Sequence, residues 1–342
     1  MWKRSLRMAV AILLVSICLT GCVKVKISSG IAKDVFMNIE GRKIPMSQAT
    51  LLLSEAKYSF ESLFDDKVWG EYLSEDTTED YVKNTVSDTV RYLAYLGFMA
   101  DEMKVELDAS EERLVKEAAA EYMDTLPEDN TTTTLSVVEK FYKDLCIAEK
   151  VFYLVTQDVD TEVSTDEARV IDVQYMFFCT TTTDDDGNCV SLSDSDIRKK
   201  YKLAENVMAE IEAGEDFVTL AREYSDDEQY SLEFGRGAYS EQFEDAAFDL
   251  EMGVVSDIVE TDNGYYIIKC TNENVESDYD KRSREIVLSR RTKLFSVYFA
   301  EFTDGMETEV NSDYWNDMSM DDISMGSGKL YSIYNEYFEN EE

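Results

Sequence analysis

The 342-residue chain contains no histidine. That absence removes the commonest metal ligand and the side chain most used as a general base near neutral pH. Proline occurs at two positions and glycine at 14, a scarcity that suits a helix-rich protein. Cations are scarce as well: 33 Lys and Arg face 72 Asp and Glu, giving a formal net charge of −39. Such a chain lacks the positive charge that nucleic-acid phosphates require. The acidity reads first as solubility and self-repulsion. What is plentiful is apolar: 44% hydrophobic and 12% aromatic residues argue against wholesale disorder. The length allows two or three domains.

Residues 1 to 22 have the three-part form of a targeting segment. Lys3, Arg4 and Arg7 make a basic start, and Met8 to Cys18 is an apolar run too short to span a bilayer. Leu19-Thr20-Gly21-Cys22 then resembles the bacterial lipobox, which implies a signal over 1–21 and a lipid-modified Cys22. The lipid would hold the protein on the outer face of a cytoplasmic membrane, at the cell surface or in a periplasm. Residues 22–34 follow as a short tether.

From Val35 to Ile44 the pattern predicts strand with a Glu40-Gly41 turn. Helices are expected over Ser47–Phe64 and Glu79–Val105, the latter with Val82, Val86, Val90, Leu93 and Leu96 on one stripe. Ser110 is the expected N-cap of a third helix. Ser136 and Glu139 are the expected capping box of a fourth, ending near Val155. Asp158 to Ala168 reads as a polar linker. A strand over Val170–Phe178 and a helix over Asp194–Ala213 come next, followed by a second helix with Phe217, Leu220, Ala221 and Tyr224 on one face. Phe243, Ala247 and Leu250 mark a further short helix. Val254–Val259 and Tyr265–Cys270 are expected strands joined through Asp262-Asn263-Gly264. A helix over Tyr279–Phe302 precedes an acidic end with aromatic clusters.

Gly214-Glu215-Asp216-Phe217, Leu220 to Ser225, Phe243 to Phe248 and Gly264 to Lys269 occur in the order and approximate spacing of the parvulin peptidyl-prolyl isomerases, which residues 168–275 resemble. The helices before that stretch are similar to the chaperone module of SurA- and PrsA-type foldases. The resemblance implies an α+β protein: a helical chaperone module over 35–167 and 276–342, interrupted by a small antiparallel sheet surrounded by helices. It implies prolyl isomerisation of secreted polypeptides, with no cofactor, no metal and no nucleic-acid partner.

By the same resemblance Asp227 takes the family's Asp or Cys position, Phe243 the aromatic proline-pocket position, and Tyr239 a place where methionine is usual. Tyr175 and Tyr266 stand where the family carries two histidines. Two readings of that replacement stay open: a phenol pair that preserves the pocket's hydrogen bonds, or a pocket that only binds extended chains as a non-enzymatic holdase. A surface-binding lipoprotein without a folding role is a third. The parvulin loop that recognises phosphoserine is basic, whereas Asp184-Asp185-Asp186 here disfavours phosphorylated substrates. Asp184 to Gly187 also falls short of a calcium loop and reads as a solvated turn. Cys179 and Cys189 flank that turn, and a disulfide between them is one expectation beside two free thiols. Cys146 and Cys270 read as small buried hydrophobes.

Overall fold

The computed structural model describes residues 24–73, 76–183, 189–275 and 279–338. The leader, Cys22 and the Asp184–Gly187 turn therefore lie outside the described residues. The architecture is α+β, and the chain divides into two units. One runs to Val159 and resumes at Arg291; the other is Asp160–Arg290.

In the first unit the chain opens with β1 (Lys24–Ser28), β2 (Val35–Ile39) and β3 (Arg42–Pro45). Residues Lys24–Ser28, expected as tether, are strand because Lys-Val-Lys-Ile alternates with period two and the backbone pairs in parallel with a strand near the C-terminus. Ile39 pairs with Arg42, so Glu40 and Gly41 form a two-residue hairpin loop. Both have positive φ, 49° and 82°, the signature of the turn whose twist matches the flanking strands. Helices α1 (Met46–Phe64) and α2 (Thr78–Met103) follow, with the hairpin of β4 (Tyr72–Leu73) and β5 (Asp76–Thr77) between them. Then come α3 (Ala109–Thr125) and α4 (Leu135–Val155).

Both expected caps move. Asp108, not Ser110, caps α3: its Oδ1 accepts from the N–H groups of Ser110 and Glu111 at 2.7 and 2.9 Å, and Glu111 accepts from the Asp108 N–H. A two-residue earlier start lets the acids at 111 and 112 occupy the first turn. Ser136 lies inside α4, whose N-cap Thr134 makes no side-chain cap bond.

The second unit starts with a one-turn helix, α5 (Thr165–Ala168), within the stretch expected to be a linker. Ser164 and Glu167 close a capping box around it. Next come β6 (Val170–Cys179), the hairpin β7 (Thr181–Thr183) and β8 (Cys189–Ser191), α6 (Asp194–Glu212) and α7 (Phe217–Tyr224). Then follow β9 (Ser231–Gly235), α8 (Glu241–Phe248), β10 (Val259–Thr261) and β11 (Gly264–Asn272). The antiparallel sheet has the order β10-β11-β6-β9. Of the expected strand over Val254–Val259 only Val259 belongs to β10; Val255 makes a lone bridge to Lys269. Thr261 pairs with Gly264, so the turn is Asp262-Asn263 and Gly264 already belongs to β11. A Cβ on Gly264 would stand 2.3 Å from the Phe178 carbonyl oxygen, a place only glycine fills.

Period-two alternation gives this sheet two buried faces. Met176, Phe178, Tyr265 and Ile267 pack under α6 and α7 with Ala204, Val207, Phe217 and Leu220. Ile171, Val173, Tyr175 and Ile268 face Phe234 and the α8 side chains Phe243, Ala247 and Phe248. Helix α9 (Tyr279–Thr303) carries the chain out of this unit at Arg290.

Back in the first unit, α9 is followed by β12 (Glu307–Asn311), which sits between β1 and β2, then by α10 (Ser312–Trp315) and α11 (Leu330–Phe338). Phe36 meets Trp315 at 4.4 Å, Phe152 meets Phe295 at 5.2 Å and Tyr142 meets Tyr334 at 5.6 Å between ring centroids. The irregular stretch between α10 and α11 has its carbonyls satisfied by side chains. Lys83 donates to Met318, Lys57 to Met320 and Ile323, and Asn130 to Met325, while Tyr142 donates to Leu330 at the start of α11. Among the described residues no helix is long and apolar enough to cross a membrane.

Candidate functional site

The sheet face beneath α8 gathers an aromatic cluster. Strand β6 supplies Tyr175 and Phe177, and β11 supplies Tyr266 opposite Phe177. Strand β9 adds Phe234, whose ring lies 5.7 Å from Phe243 of α8. Tyr239, in the loop between β9 and α8, meets Phe234 edge-on at 5.0 Å and Phe243 at 5.4 Å. Phe243 in turn meets Tyr266 at 5.0 Å and Tyr175 at 6.3 Å. These edge-on and tilted geometries are favoured by the ring quadrupoles. Phe243 is 3% exposed, whereas Tyr239 is 46% exposed. The cluster thus has a dry floor and an open lip.

Asp227 reaches the floor from the loop after α7. That loop is pinned to β6: Asp226 N–H donates to the Phe177 carbonyl at 2.8 Å, and the Asp226 carboxylate accepts from Cys179 N–H at 2.7 Å and from Lys200 at 2.5 Å. Ser225 Oγ accepts from the N–H groups of Phe177 and Asp227. So held, Asp227 Oδ2 accepts from the Tyr175 hydroxyl at 2.5 Å while Oδ1 accepts from Gln229 N–H at 3.0 Å. Burial, then the hydrogen bond to Asp227, pushes the Tyr175 phenol well above its ordinary range. Tyr266 is also raised, by burial first. Its oxygen accepts from Asn263 Nδ2 at 3.5 Å.

All five residues singled out for the pocket, Asp227, Tyr175, Tyr266, Tyr239 and Phe243, therefore come together. Phe234 and Phe177 join them, and neither was singled out; their alternation within short strands was the available signal. The thiols of Cys179 and Cys189 are both free. Thr183 pairs with Cys189 across the β7–β8 hairpin. Cys179 thus lies four residues further from the hairpin tip than Cys189's partner, and strand spacing puts their Cα atoms beyond bridging range. Cys146 and Cys270 are buried. Among the described residues no cluster of three metal-ligating side chains occurs.

Residues 182–272 match the family described as Rotamase, PPIC-type PPIASE domain. The foldase protein PrsA of Geobacillus kaustophilus is 33% identical over 138 residues, 38% of this chain and 49% of that protein. The foldase protein PrsA of Caldanaerobacter subterraneus is 24% identical over 295 residues, 78% of this chain and 82% of that protein. A crystal structure of peptidylprolyl isomerase PrsA from Bacillus cereus aligns over 90% of this chain and 99% of its own, at 19% identity and a TM-score of 0.35. The chain spans about half the length of the Geobacillus kaustophilus relative. Residues 182–272 form a parvulin-type, PPIC-family rotamase domain in a chain that is PrsA-like.

Proposed function

We propose that this chain is a lipid-anchored, extracytoplasmic folding factor whose Asp160–Arg290 unit isomerises X-Pro bonds of secreted polypeptides. The observation that carries the reading is the pocket itself: an open lip at Tyr239 packed on a buried floor of Phe243 and the Tyr175–Asp227 pair, within a PPIC-type domain. Turning an X-Pro bond requires loss of its partial double-bond character, an uncatalysed event of tens to hundreds of seconds. No nucleophile is needed. The site must hold the pyrrolidine ring and favour the twisted amide over both planar forms.

In this reading Tyr239, Phe243 and Phe234 hold the ring by apolar contact. The Tyr175 proton is committed to Asp227, so that pair fixes the floor and keeps water from it. The Tyr266 hydroxyl has no acceptor for its own proton among the described residues, and is the donor offered to a carbonyl of the bound chain. A lipid on Cys22, two residues before β1, tethers the unit built from both ends of the chain, and that unit holds unfolded clients. Exposed Leu63, Phe64 and Tyr72 at the end of α1 and on β4 supply an apolar face for that purpose. They equally support a second reading, a holdase that binds extended chains without turning over prolyl bonds.

A protease-free isomerisation assay separates the two, using an unphosphorylated X-Pro peptide and the protein without residues 1 to 22. Turnover above the spontaneous rate that drops in Asp227→Ala and Phe243→Ala is the expected result. No acceleration by the folded wild type, with aggregation of unfolded clients still suppressed, establishes the holdase. For the anchor, the expected result is labelling of the full-length chain by a fatty-acid probe, abolished in Cys22→Ser.

A further inference from the structure

Helix α8 carries a carboxylate that the pocket chemistry leaves unexplained. Glu244 is 7% exposed. It follows Phe243 and points toward the loop that precedes its own helix. Its Oε2 accepts from Gly237 N–H at 3.0 Å, and its Oε1 accepts from the N–H groups of Ala238 and Tyr239 at 2.7 and 2.8 Å. Three consecutive backbone donors thus converge on one buried carboxylate. Such charge-assisted bonds are about twice as strong as neutral ones, and a buried carboxylate is tolerated only when so satisfied. Gly237 has φ 90°, the conformation that lets successive N–H groups point the same way.

Arg236 to Ser240 lies between β9 and α8, outside regular structure; Arg282 donates to the Arg236 carbonyl at its start, and Glu244 takes the three N–H groups that follow. This loop delivers Tyr239, the exposed lip of the pocket. We infer that Glu244 is a positioning residue for prolyl recognition: its carboxylate clamps the Gly237–Tyr239 backbone so that the Tyr239 ring stands over Phe234 and Phe243. The inference rests on the isomerase reading only for its kinetic form. The geometry applies equally to binding of a proline-containing chain.

The consequence is specific. A lip that holds the proline ring equally in planar and twisted amides contributes uniform binding, so its loss raises KM and leaves kcat. If Glu244 acts through Tyr239, the two substitutions must be non-additive, as for residues that share one contact. The test is a double-variant cycle of Glu244→Ala, Tyr239→Ala and the pair, on the protein without residues 1 to 22. Two readouts are taken: isomerisation rate across peptide concentration, and affinity for the same X-Pro peptide from NMR titration.

Each single substitution is expected to raise KM and Kd about fivefold, the size of losing one aromatic pair contact. The pair should cost no more than either alone. Glu244→Gln keeps one acceptor oxygen and should fall between wild type and Glu244→Ala. Additive effects, a drop in kcat at unchanged KM, or Glu244→Ala binding as well as wild type would overturn the inference. If wild type binds the peptide but does not turn it over, the isomerase reading fails, and the affinity cycle alone decides the role of Glu244. If wild type neither binds nor turns over, both fall.

Discussion

At the scale of single residues, the pocket is organised by one hydrogen bond between an aromatic hydroxyl and a carboxylate. Tyr175 is 4% exposed and its ring packs against Phe243 and Tyr266. Tyr175→Phe keeps that packing and deletes only the donor to Asp227. The carboxylate oxygen it leaves half-buried has lost its partner, which costs about 1–3 kcal/mol. Urea unfolding of the variant should show a loss of that size, with a lower rate of prolyl turnover. Unchanged stability would mean that water replaces the phenol without penalty.

The same pair sets the expected pH dependence. Tyr175 is raised above its ordinary value by burial and by Asp227, so its neutral form is the one the fold favours. The stability this confers is fully present below the ordinary phenol range, and is lost only as pH rises through the still higher folded value. With no histidine in the chain, nothing of imidazole type titrates at the site near neutrality. Turnover should therefore be flat from about pH 6 to about pH 9, between the carboxylate and phenol ranges. An inflection near pH 6.5 would show that the rate depends on a group outside this cluster.

At the scale of elements, periodicity was readable and polarity was not. The helices α1, α2, α6 and α7 lie within a few residues of their apolar stripes, because each buries one face against a sheet or another helix. Strands β6 and β11 announce themselves by alternation and by large aromatic residues on both faces. Strand β12 does not: its buried positions are Thr308 and Asn311, polar side chains bonded to the Tyr95 hydroxyl and to carbonyls of Ala32 and Val35. Its partners are nearly the whole chain length away, and no local pattern encodes them. The pocket residues were legible through their family positions, whereas the Glu244 clamp was not. A glutamate at that place reads as an exposed helical acid until the loop is seen folding back over it.

Caps show the same limit, since several polar residues compete and the first helical turn decides among them. Asp108→Ala removes the acceptor for two N–H groups at the start of α3 and should lower the thermal midpoint. Ser136→Ala, inside α4 where its side chain caps nothing, should leave the midpoint where it was. Equal effects from the two would contradict the assigned helix starts.

At the scale of the whole molecule, each unit has its own core, and each should have its own unfolding transition. The sequence provides a way to read them separately. Of the three tryptophans, Trp2 is absent from the protein without residues 1 to 22, and Trp69 and Trp315 both belong to the unit built from the two ends of the chain. Tryptophan fluorescence then follows that unit alone, while prolyl turnover follows Asp160–Arg290.

The test residue is Glu55 of α1, buried at 7% exposure. Its carboxylate accepts from the Tyr122 hydroxyl at 2.7 Å and from the N–H groups of Ser327 and Leu330 at 2.8 and 3.2 Å, joining the last helix to the first. Glu55→Ala strands three buried donors and should cost the tryptophan-detected transition about 3 kcal/mol or more, with the denaturation midpoint of turnover unmoved. Tyr175→Phe should do the reverse. A single shared transition, shifted equally by both substitutions, would show that the two cores unfold as one.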